Sequence, residues 1–377
     1  MRDEAKAAAA AALGLAPLLL AGLAQAAAIE RAVPMTVRLL FEEGTYGELG
    51  VAYGNPHQSG ENATIAPGVT VTGNTGDLFE DYWNYSAAWK SDITEKLSYA
   101  LVFDQPYGAA TSYGRGSFAY PGFSYDGTSA DLDTYQFTGI LAYDIRPDVK
   151  IYGGLRAERL DADASIPFIG PSAGYPPYTA ETDKDWAWGY LLGAAYSRPE
   201  IALRVALTYY SKIEHTLAST EFGTIHDETD ITTPQAVSFE FQTGVAERTL
   251  LFGSVRWVDW SEFTIAPPAY TQVVGMPLVD YTDDWTTYTI GVGRQFTDKF
   301  AGSVALIYEP SQGGSLTTLG PYDGRTLGAA ALSYDIERIN ITGGITYGRL
   351  GDTSNVLDTA YDDGSVWGAG LRIGYSF

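Results

Sequence analysis

Large apolar side chains alternate with small or polar ones from residue 45 to the end of the chain. In the last segment, Leu371–Phe377, every second residue is Leu, Ile, Tyr or Phe, and the residues between them are Arg, Gly and Ser. Successive side chains of a β-strand point to opposite faces. This period of two therefore predicts strands with one apolar face and one small or polar face.

The alternation divides into fourteen strands, although the pattern also allows twelve or sixteen. Short turns such as Arg146–Asp148 and Arg198–Glu200 alternate with long polar loops such as 161–184 and 349–364. Because each strand reverses the chain direction, all long loops lie at one end of the sheet, and an even strand number brings both termini to the other end. This is the arrangement of a closed membrane barrel, in which no strand edge is left unpaired.

Soluble sandwiches and propellers also contain strands of period two. The polar face of this chain argues against them, because it is mostly Gly, Ser, Thr and Ala, as at Thr138, Gly139 and Ala305, whereas charged residues are concentrated in the loops. Aromatic residues make up 13% of the chain, which suits girdles at two membrane interfaces. We therefore predict an all-β protein, a transmembrane antiparallel β-barrel of about fourteen strands.

Residues 1–26 have the pattern of a cleaved export signal. Two basic residues, Arg2 and Lys6, precede the apolar run 7–23, and Ala24–Ala26 has the small-x-small form of a cleavage site. An uncleaved membrane anchor is the alternative, since the apolar run is long enough to span a bilayer. The predicted parts are a signal peptide at 1–26, a short N-terminal segment at 27–44 and a barrel at 45–377.

Charge and composition disfavour several classes of function. Acidic residues outnumber basic ones by 46 to 23, giving a net charge of −23, so we predict no nucleic-acid partner. The chain has no cysteine and three histidines without metal-site spacing, and we predict neither a metal nor a cofactor. The G-x-S-x-G pattern at Gly170–Gly174 lies in a proline-rich loop without the strand-to-helix elbow that a nucleophilic serine needs. An enzyme is therefore not predicted.

Three segments resemble a known family. The Trp-x-x-Trp-Ser-x-Phe element within Arg256–Phe263, the preceding residues 233–243 and the segment Asp104–Gly108 are similar to the FadL family of outer-membrane transporters for long-chain fatty acids and other hydrophobic compounds. The resemblance implies a bacterial outer-membrane location, an N-terminal hatch that plugs the lumen, a ligand groove in the extracellular loops and a lateral opening in the wall. The terminal Phe377 resembles the signal that the barrel assembly machinery of that membrane reads.

The chain departs from the family at the hatch. Only residues 27–44 precede the first strand, and no Asn-Pro-Ala occurs near the predicted mature N-terminus. The segment 39–44 is our candidate for a shortened hatch, with Leu39, Leu40 and Phe41 as its apolar residues. The alternative is an ordinary lead-in to the first strand.

Apolar residues in the long loops predict where a ligand binds. The loop 161–184 is unusually apolar for an exposed loop, and two other loops add aromatic residues. The alternative is that these residues pack the loops onto one another as a lid. The candidate groove residues are Phe118, Phe123, Tyr125, Ile166, Phe168, Ile169, Tyr175, Tyr178, Phe222 and Ile225.

A buried carboxylate head group needs a cation or hydrogen-bond donors. Arg156 is the first candidate and Arg256 the second; either could instead pair with a lumen carboxylate such as Glu158 or Glu240. Gly153–Gly154 and Pro106–Gly108 are candidates for a weakened hydrogen-bond ladder at the lateral opening.

The predicted function is uptake of long-chain fatty acids or related hydrophobic compounds through a loop groove, the lumen and a lateral opening. A passive porin-like channel or a structural surface barrel is the alternative. The expected partners are the hydrophobic ligand, outer-membrane lipids, lipopolysaccharide and the assembly machinery, and we expect a monomer.

Overall fold

The structure is a computed structural model that describes residues 29–32, 37–114, 124–313, 315–317, 319–320, 322–355 and 357–377. The predicted signal peptide, 1–26, lies outside the described residues. Among the described residues, no helix is long and apolar enough to cross a membrane.

The described strands, in chain order, are β1 (Tyr46–Ala66), β2 (Val69–Asn74), β3 (Tyr82–Asp92), β4 (Leu97–Asp104), β5 (Gly108–Ser112), β6 (Ser129–Arg146), β7 (Val149–Ile166), β8 (Tyr178–Thr182), β9 (Asp185–Arg198), β10 (Leu203–Tyr210), β11 (Ile213–Glu221), β12 (Ile225–Thr233), β13 (Ala236–Ala246), β14 (Thr249–Val258), β15 (Thr264–Ile265), β16 (Val279–Asp280), β17 (Trp285–Gln295), β18 (Phe300–Glu309), β19 (Ser315–Leu316), β20 (Arg325–Ile336), β21 (Ile339–Leu350), β22 (Thr353–Asn355) and β23 (Ala360–Ser376). Helix α1 spans Pro268–Val274, and short 3-10 turns lie at Leu39–Phe41, Pro171–Ala173, Pro199–Ile201 and Trp260–Glu262.

Fourteen of these described strands form a closed antiparallel barrel. They are β1, β3, β4, β6, β7, β9, β10, β13, β14, β17, β18, β20, β21 and β23. The last strand closes onto the first, with Tyr46 opposite Ser376 and Glu61 opposite Ala360. The predicted strand number and fold class are therefore confirmed.

The two faces of the wall differ as the alternation predicts. Outward positions carry exposed apolar side chains, such as Leu49 at 67% and Ile345 at 62% exposure. Inward positions such as Glu48, Ala100 and Thr346 are buried in the lumen. An apolar outer band around a small and polar interior is the surface that a barrel presents to lipid.

Several strands extend further than predicted. The sequence predicts a first strand ending at Tyr53 and a loop to Asp81, whereas β1 continues to Ala66 and forms a hairpin with β2. A transmembrane strand needs about ten residues, so the remainder stands beyond the membrane. There the outward positions, such as His57, meet water instead of lipid and are polar, so the apolar alternation is lost, although inward positions such as Gln58 and Ala63 stay buried.

Candidate ligand cavity and wall gap

The N-terminal segment 37–44 lies inside the barrel beside the short turns. Leu39 and Leu40 are fully buried. The Phe41 ring lies under two cations from different strands, with Lys150 Nζ 5.7 Å and Arg204 Cζ 4.8 Å from its centroid. Lys90 Nζ donates to the carbonyl oxygens of Glu42 and Gly44, at 2.7 Å and 3.1 Å, so β3, β7 and β10 all hold this segment.

The hydrogen-bond ladder of the wall is interrupted between β3 and β4. Pairing stops at Ala87 and Phe103 and resumes further out, where Phe79 lies opposite Thr111. Between these points the Gln105 side chain replaces a backbone hydrogen-bond partner, because its Oε1 accepts a hydrogen bond from the Tyr85 backbone N at 2.7 Å. We call the interval 104–109, opposite 81–86, the wall gap.

Proline explains part of this interruption, since Pro106 has no backbone N–H to donate to a neighbouring strand. Of the two predicted weak points, the ladder is continuous on both sides of Gly153 and Gly154, which pair with β6 and β9. The interruption lies at Pro106–Gly108 instead.

The described residues 29–32 pair with the inner edge of the wall gap. Arg31 N donates to the Pro106 carbonyl oxygen at 2.7 Å, and Gly108 N donates to the Ile29 carbonyl oxygen at 2.8 Å. A Cβ on Gly108 would lie 2.3 Å from Arg31 Cζ, so a larger residue here would displace the Arg31 guanidinium from its present position. Residues 29–32 thus occupy part of the position that a neighbouring strand has elsewhere in the wall.

Two ion pairs hold this segment from opposite sides. Glu30 is fully buried, and its Oε1 accepts from Arg256 Nη2 at 2.5 Å. Arg31 pairs with Asp133 at 3.1 Å and lies 4.9 Å over the Tyr82 ring. A buried charge is tolerated only when it is paired, so both contacts favour the docked position of residues 29–32.

Both arginines predicted for a ligand head group have protein partners. Arg256 binds Glu30 and Ser238 Oγ, the latter at 2.8 Å, rather than Glu240. Arg156 donates to Gln136 Oε1 at 3.0 Å and to the Ser211 carbonyl oxygen at 2.9 Å, and it lies 3.9 Å from Glu158. Their role toward a carboxylate stays a prediction, but the structure shows the paired alternative.

An apolar cavity of about 60 Å³ lies next to residues 29–32. Its inner wall comes from β6 and β7, through Ala130, Leu132, Ala162 and Ala164. Its remaining apolar lining residues are Ile29, Ala109, Ala180, Ile231, Phe263, Ile265, Pro267, Leu278, Val279, Tyr281 and Leu319.

Acidic residues flank the cavity on the part of β6 and β7 that extends past the membrane. Burial, together with the carboxylates of Asp133 and Asp163, raises the pKa of the Asp131 carboxyl to about 6, although Arg31 opposes this shift. No lysine or arginine is among the described residues that line the cavity. Asp131 and Asp163 are among the lining residues, so the cavity presents mostly hydrocarbon to a ligand, together with hydroxyl and carboxyl groups.

Trp260, within the 3-10 turn that follows β14, forms one side of this region. It is fully buried, and its ring meets those of Tyr107, Phe263 and Tyr281 at centroid distances of 6.0 Å, 5.4 Å and 5.7 Å. The Trp-Ser-x-Phe element that carries the family resemblance therefore packs against Tyr107 in the wall gap. Tyr107 lies within the predicted weak point Pro106–Gly108, although its contact with Trp260 was not predicted. Sequence reasoning missed Glu30, because it does not stand out in any local pattern.

The predicted groove residues are brought together only in part. Ile166, Tyr178 and Phe222 are buried in one cluster with Tyr270, and Tyr175 stacks on Phe222 at 4.9 Å. Phe168, Ile169 and Ile225 pack against this cluster. These residues pack the loops onto one another, and their role in ligand binding stays a prediction.

Tyr125 belongs to a second cluster, stacked on Tyr113 at 4.8 Å, and Phe168 touches its ring edge-on at 5.8 Å. Phe118 and Phe123 lie outside the described residues. Phe168 therefore links the two loop clusters.

Glu221 fixes the first cluster to helix α1. Its carboxylate accepts from the backbone N of Ala269 and Tyr270, at 2.8 Å and 2.7 Å, and from Tyr178 Oη at 3.1 Å. Burial and the adjacent Glu221 carboxylate raise the pKa of the Tyr178 hydroxyl well above its usual range, so it stays a donor. These hydrogen bonds hold the extracellular loops together above the cavity.

Comparisons with known proteins agree with this geometry. The model of the family described as outer membrane protein transport protein (OMPP1/FadL/TodX) matches residues 5–364. A comparison with curated proteins finds no match.

Solved structures share the fold at low identity. A Pseudomonas aeruginosa FadL homologue has a TM-score of 0.71 at 14% identity and covers 90% of this chain and 92% of its own. The Pseudomonas putida toluene transporter TodX has a TM-score of 0.65 at 12% identity, with 96% and 97% coverage. The Ralstonia pickettii toluene transporter TbuX has a TM-score of 0.62 at 14% identity, with 94% and 97% coverage.

Proposed function

Because the chain belongs to the OMPP1/FadL/TodX family of outer membrane transport proteins, we propose that it takes up long-chain fatty acids or related hydrophobic compounds and releases them sideways into the membrane. The observation that carries the proposal is an apolar cavity placed directly beside an interrupted stretch of wall. Ile29 and Ala109 line the cavity and also flank the wall gap. A ligand in the cavity is thus adjacent to the wall gap.

The cavity is closed in this conformation. Its volume of about 60 Å³ is smaller than the roughly 150 Å³ apolar cavity that holds a benzene molecule in an engineered protein. Residues 29–32 have to move before any such ligand fits, and the same movement uncovers the wall gap. We infer that residues 29–32 and 37–44 together act as the hatch.

Burial of hydrocarbon supplies enough affinity for such a site. Each buried methylene contributes roughly 0.8 kcal/mol, so ten of them contribute roughly 8 kcal/mol, which corresponds to micromolar binding. An apolar surface outside the lipopolysaccharide leaflet and a sideways route into the membrane are what uptake of a hydrocarbon requires.

Filling the cavity tests the proposal. Ala162→Leu places a larger side chain at an inward position of β7 that lines the cavity, and we expect saturable binding of a fluorescent fatty acid or of toluene to the purified protein to be lost. Ala330→Leu is the matched control, since Ala330 is an exposed outward position of β20. Binding of both ligands by Ala162→Leu at the parent's affinity would contradict the cavity assignment.

Ion conductance separates transport of hydrophobic compounds from a passive porin. The proposal is supported by the buried turn Leu39–Phe41 and the Glu30–Arg256 pair, which lie where an aqueous pore would pass. We expect the parent protein to be nearly silent in planar bilayers. Large stable conductance together with no saturable binding of fatty acid or toluene would replace our proposal with the porin.

A further inference from the structure

The membrane-facing surface of the barrel carries a concave apolar groove of about 830 Å³. Its floor consists of three small, half-buried residues, namely Ala87 on β3, Gly139 on β6 and Ala157 on β7. Its sides are large exposed side chains; Leu101 is 55%, Phe137 is 52% and Trp188 is 70% exposed.

Strand register explains why these positions form a groove. Gly139 lies between Leu101 on β4 and Leu155 on β7, and Ala157 lies between Phe137 on β6 and Trp188 on β9. Directly paired residues share one face of a sheet. A small residue between two large ones therefore leaves a depression in the outer face.

The groove begins where the wall gap ends. Ala87 and Phe103 both line the groove, and they are also the last paired residues of β3 and β4 before the gap. A ligand that passes the gap arrives at this edge of the groove without crossing another large side chain of the ladder. The groove, the gap and the cavity are therefore contiguous, with the Gln105 side chain crossing the gap between them.

We propose that this groove is an exit site, which holds the hydrocarbon part of the transported ligand after it leaves the wall and before it disperses in the membrane. The proposal rests on the proposed function. It adds to the lateral route a binding site on the outer surface, with an uncharged hydrocarbon chain or ring as its occupant.

The chemistry of the lining supports this occupant. Among the lining residues, Glu48 is the one charged residue described, and its carboxylate points into the lumen, where it binds Arg38 and Tyr46 Oη. The groove thus offers no partner for a phosphate or other lipid head group, which needs charged or hydrogen-bonding contacts. A second copy of the chain fits poorly, because a two-fold interface needs a self-complementary surface and this one is concave.

Labelling tests the occupant directly, because the chain has no cysteine. Single-cysteine variants Ala157→Cys in the groove and Ala330→Cys on the far side of the barrel would each carry a fluorophore in nanodiscs. Ala330 is the matched control, since it lies between Val304 at 61% and Ile345 at 62% exposure but is not part of the groove. A nitroxide-labelled alkyl chain is the quencher.

We expect stronger and saturable quenching at position 157 than at position 330. Ligand that is only dissolved in the lipid, or lipid that fills the groove without exchange, would quench both positions equally and would overturn the proposal.

Blocking the groove gives a second measurement. Ala157→Trp fills the floor, and we expect transfer of the ligand from protein to lipid to slow, with the ligand's affinity for the groove falling about fourfold for each displaced methylene. Ala330→Trp should leave transfer at the parent's rate. Equal transfer by the two tryptophan variants would refute the exit site while leaving the proposed function intact, whereas a parent protein that neither binds nor transfers the ligand would refute the proposed function itself.

Discussion

Replacing Arg256 with methionine is expected to convert a silent barrel into a conducting one. The substitution leaves Glu30 fully buried without the cation that it now contacts at 2.5 Å. Removing one partner of a buried ion pair costs about 3–5 kcal/mol. Leaving the lumen gives the Glu30 carboxylate access to water, so residues 29–32 should undock and open a path for ions. Single-channel recording in planar bilayers measures this change.

Two control variants make the result specific to the buried pair. The double variant Glu30→Gln, Arg256→Met removes both charges and should restore silence, because a pair replaced by uncharged side chains of similar volume leaves no unpaired charge. Arg146→Met breaks an exposed pair with Asp148 at the short-turn end and should change nothing, since exposed pairs contribute about 0–1 kcal/mol. If Arg256→Met conducts no more than the parent, the ion pair does not hold the hatch.

The largest loss of stability is expected from Trp260→Ala. Its indole is fully buried among the rings of Tyr107, Phe263 and Tyr281, and truncation of a buried aromatic side chain to alanine costs about 3–5 kcal/mol. The truncation also removes the ring that packs against Tyr107 in the wall gap. The space that the indole leaves should enlarge the ligand cavity. We expect a lower midpoint of denaturant unfolding from detergent micelles and binding of bulkier hydrophobic ligands.

The matched control for Trp260→Ala is the same substitution at an exposed tryptophan on the outer face of the barrel. Trp186 faces the membrane at 52% exposure and stacks on Phe137 at 6.2 Å. Its replacement by alanine should cost about 1 kcal/mol, the usual contribution of an aromatic pair. Equal shifts of the unfolding midpoint in the two variants would show that the Trp260 cluster is not a structural centre of the barrel.

Barrel strands could be predicted because their environment is periodic. Each barrel strand faces lipid hydrocarbon on one side and water or small side chains of the lumen on the other. The alternation of apolar with small or polar residues in Leu371–Phe377 reflects this difference. Where the same strands leave the membrane, as β1 does after Tyr53, the outward face meets water instead of lipid and no longer has to be apolar. The pattern then disappears, although the backbone remains paired.

The candidate site could be predicted only in fragments. Pro106 marked the wall gap, because a residue without an N–H weakens a ladder wherever it lies. The loop residues Tyr178 and Phe222 were singled out for their apolar character, and their rings do pack together, at a centroid distance of 5.0 Å. Whether they also bind a ligand stays a prediction.

The sequence alone determined the face of each barrel strand and the membrane class, and it predicted about fourteen strands, because these depend on the order of neighbouring residues. Only the tertiary structure decided the pairing of Glu30 with Arg256, 226 positions away, and the contact of Tyr107 with Trp260. Closure of the barrel brings such distant residues together. A side chain facing the lumen can then take a partner from any strand, and no local pattern specifies which one.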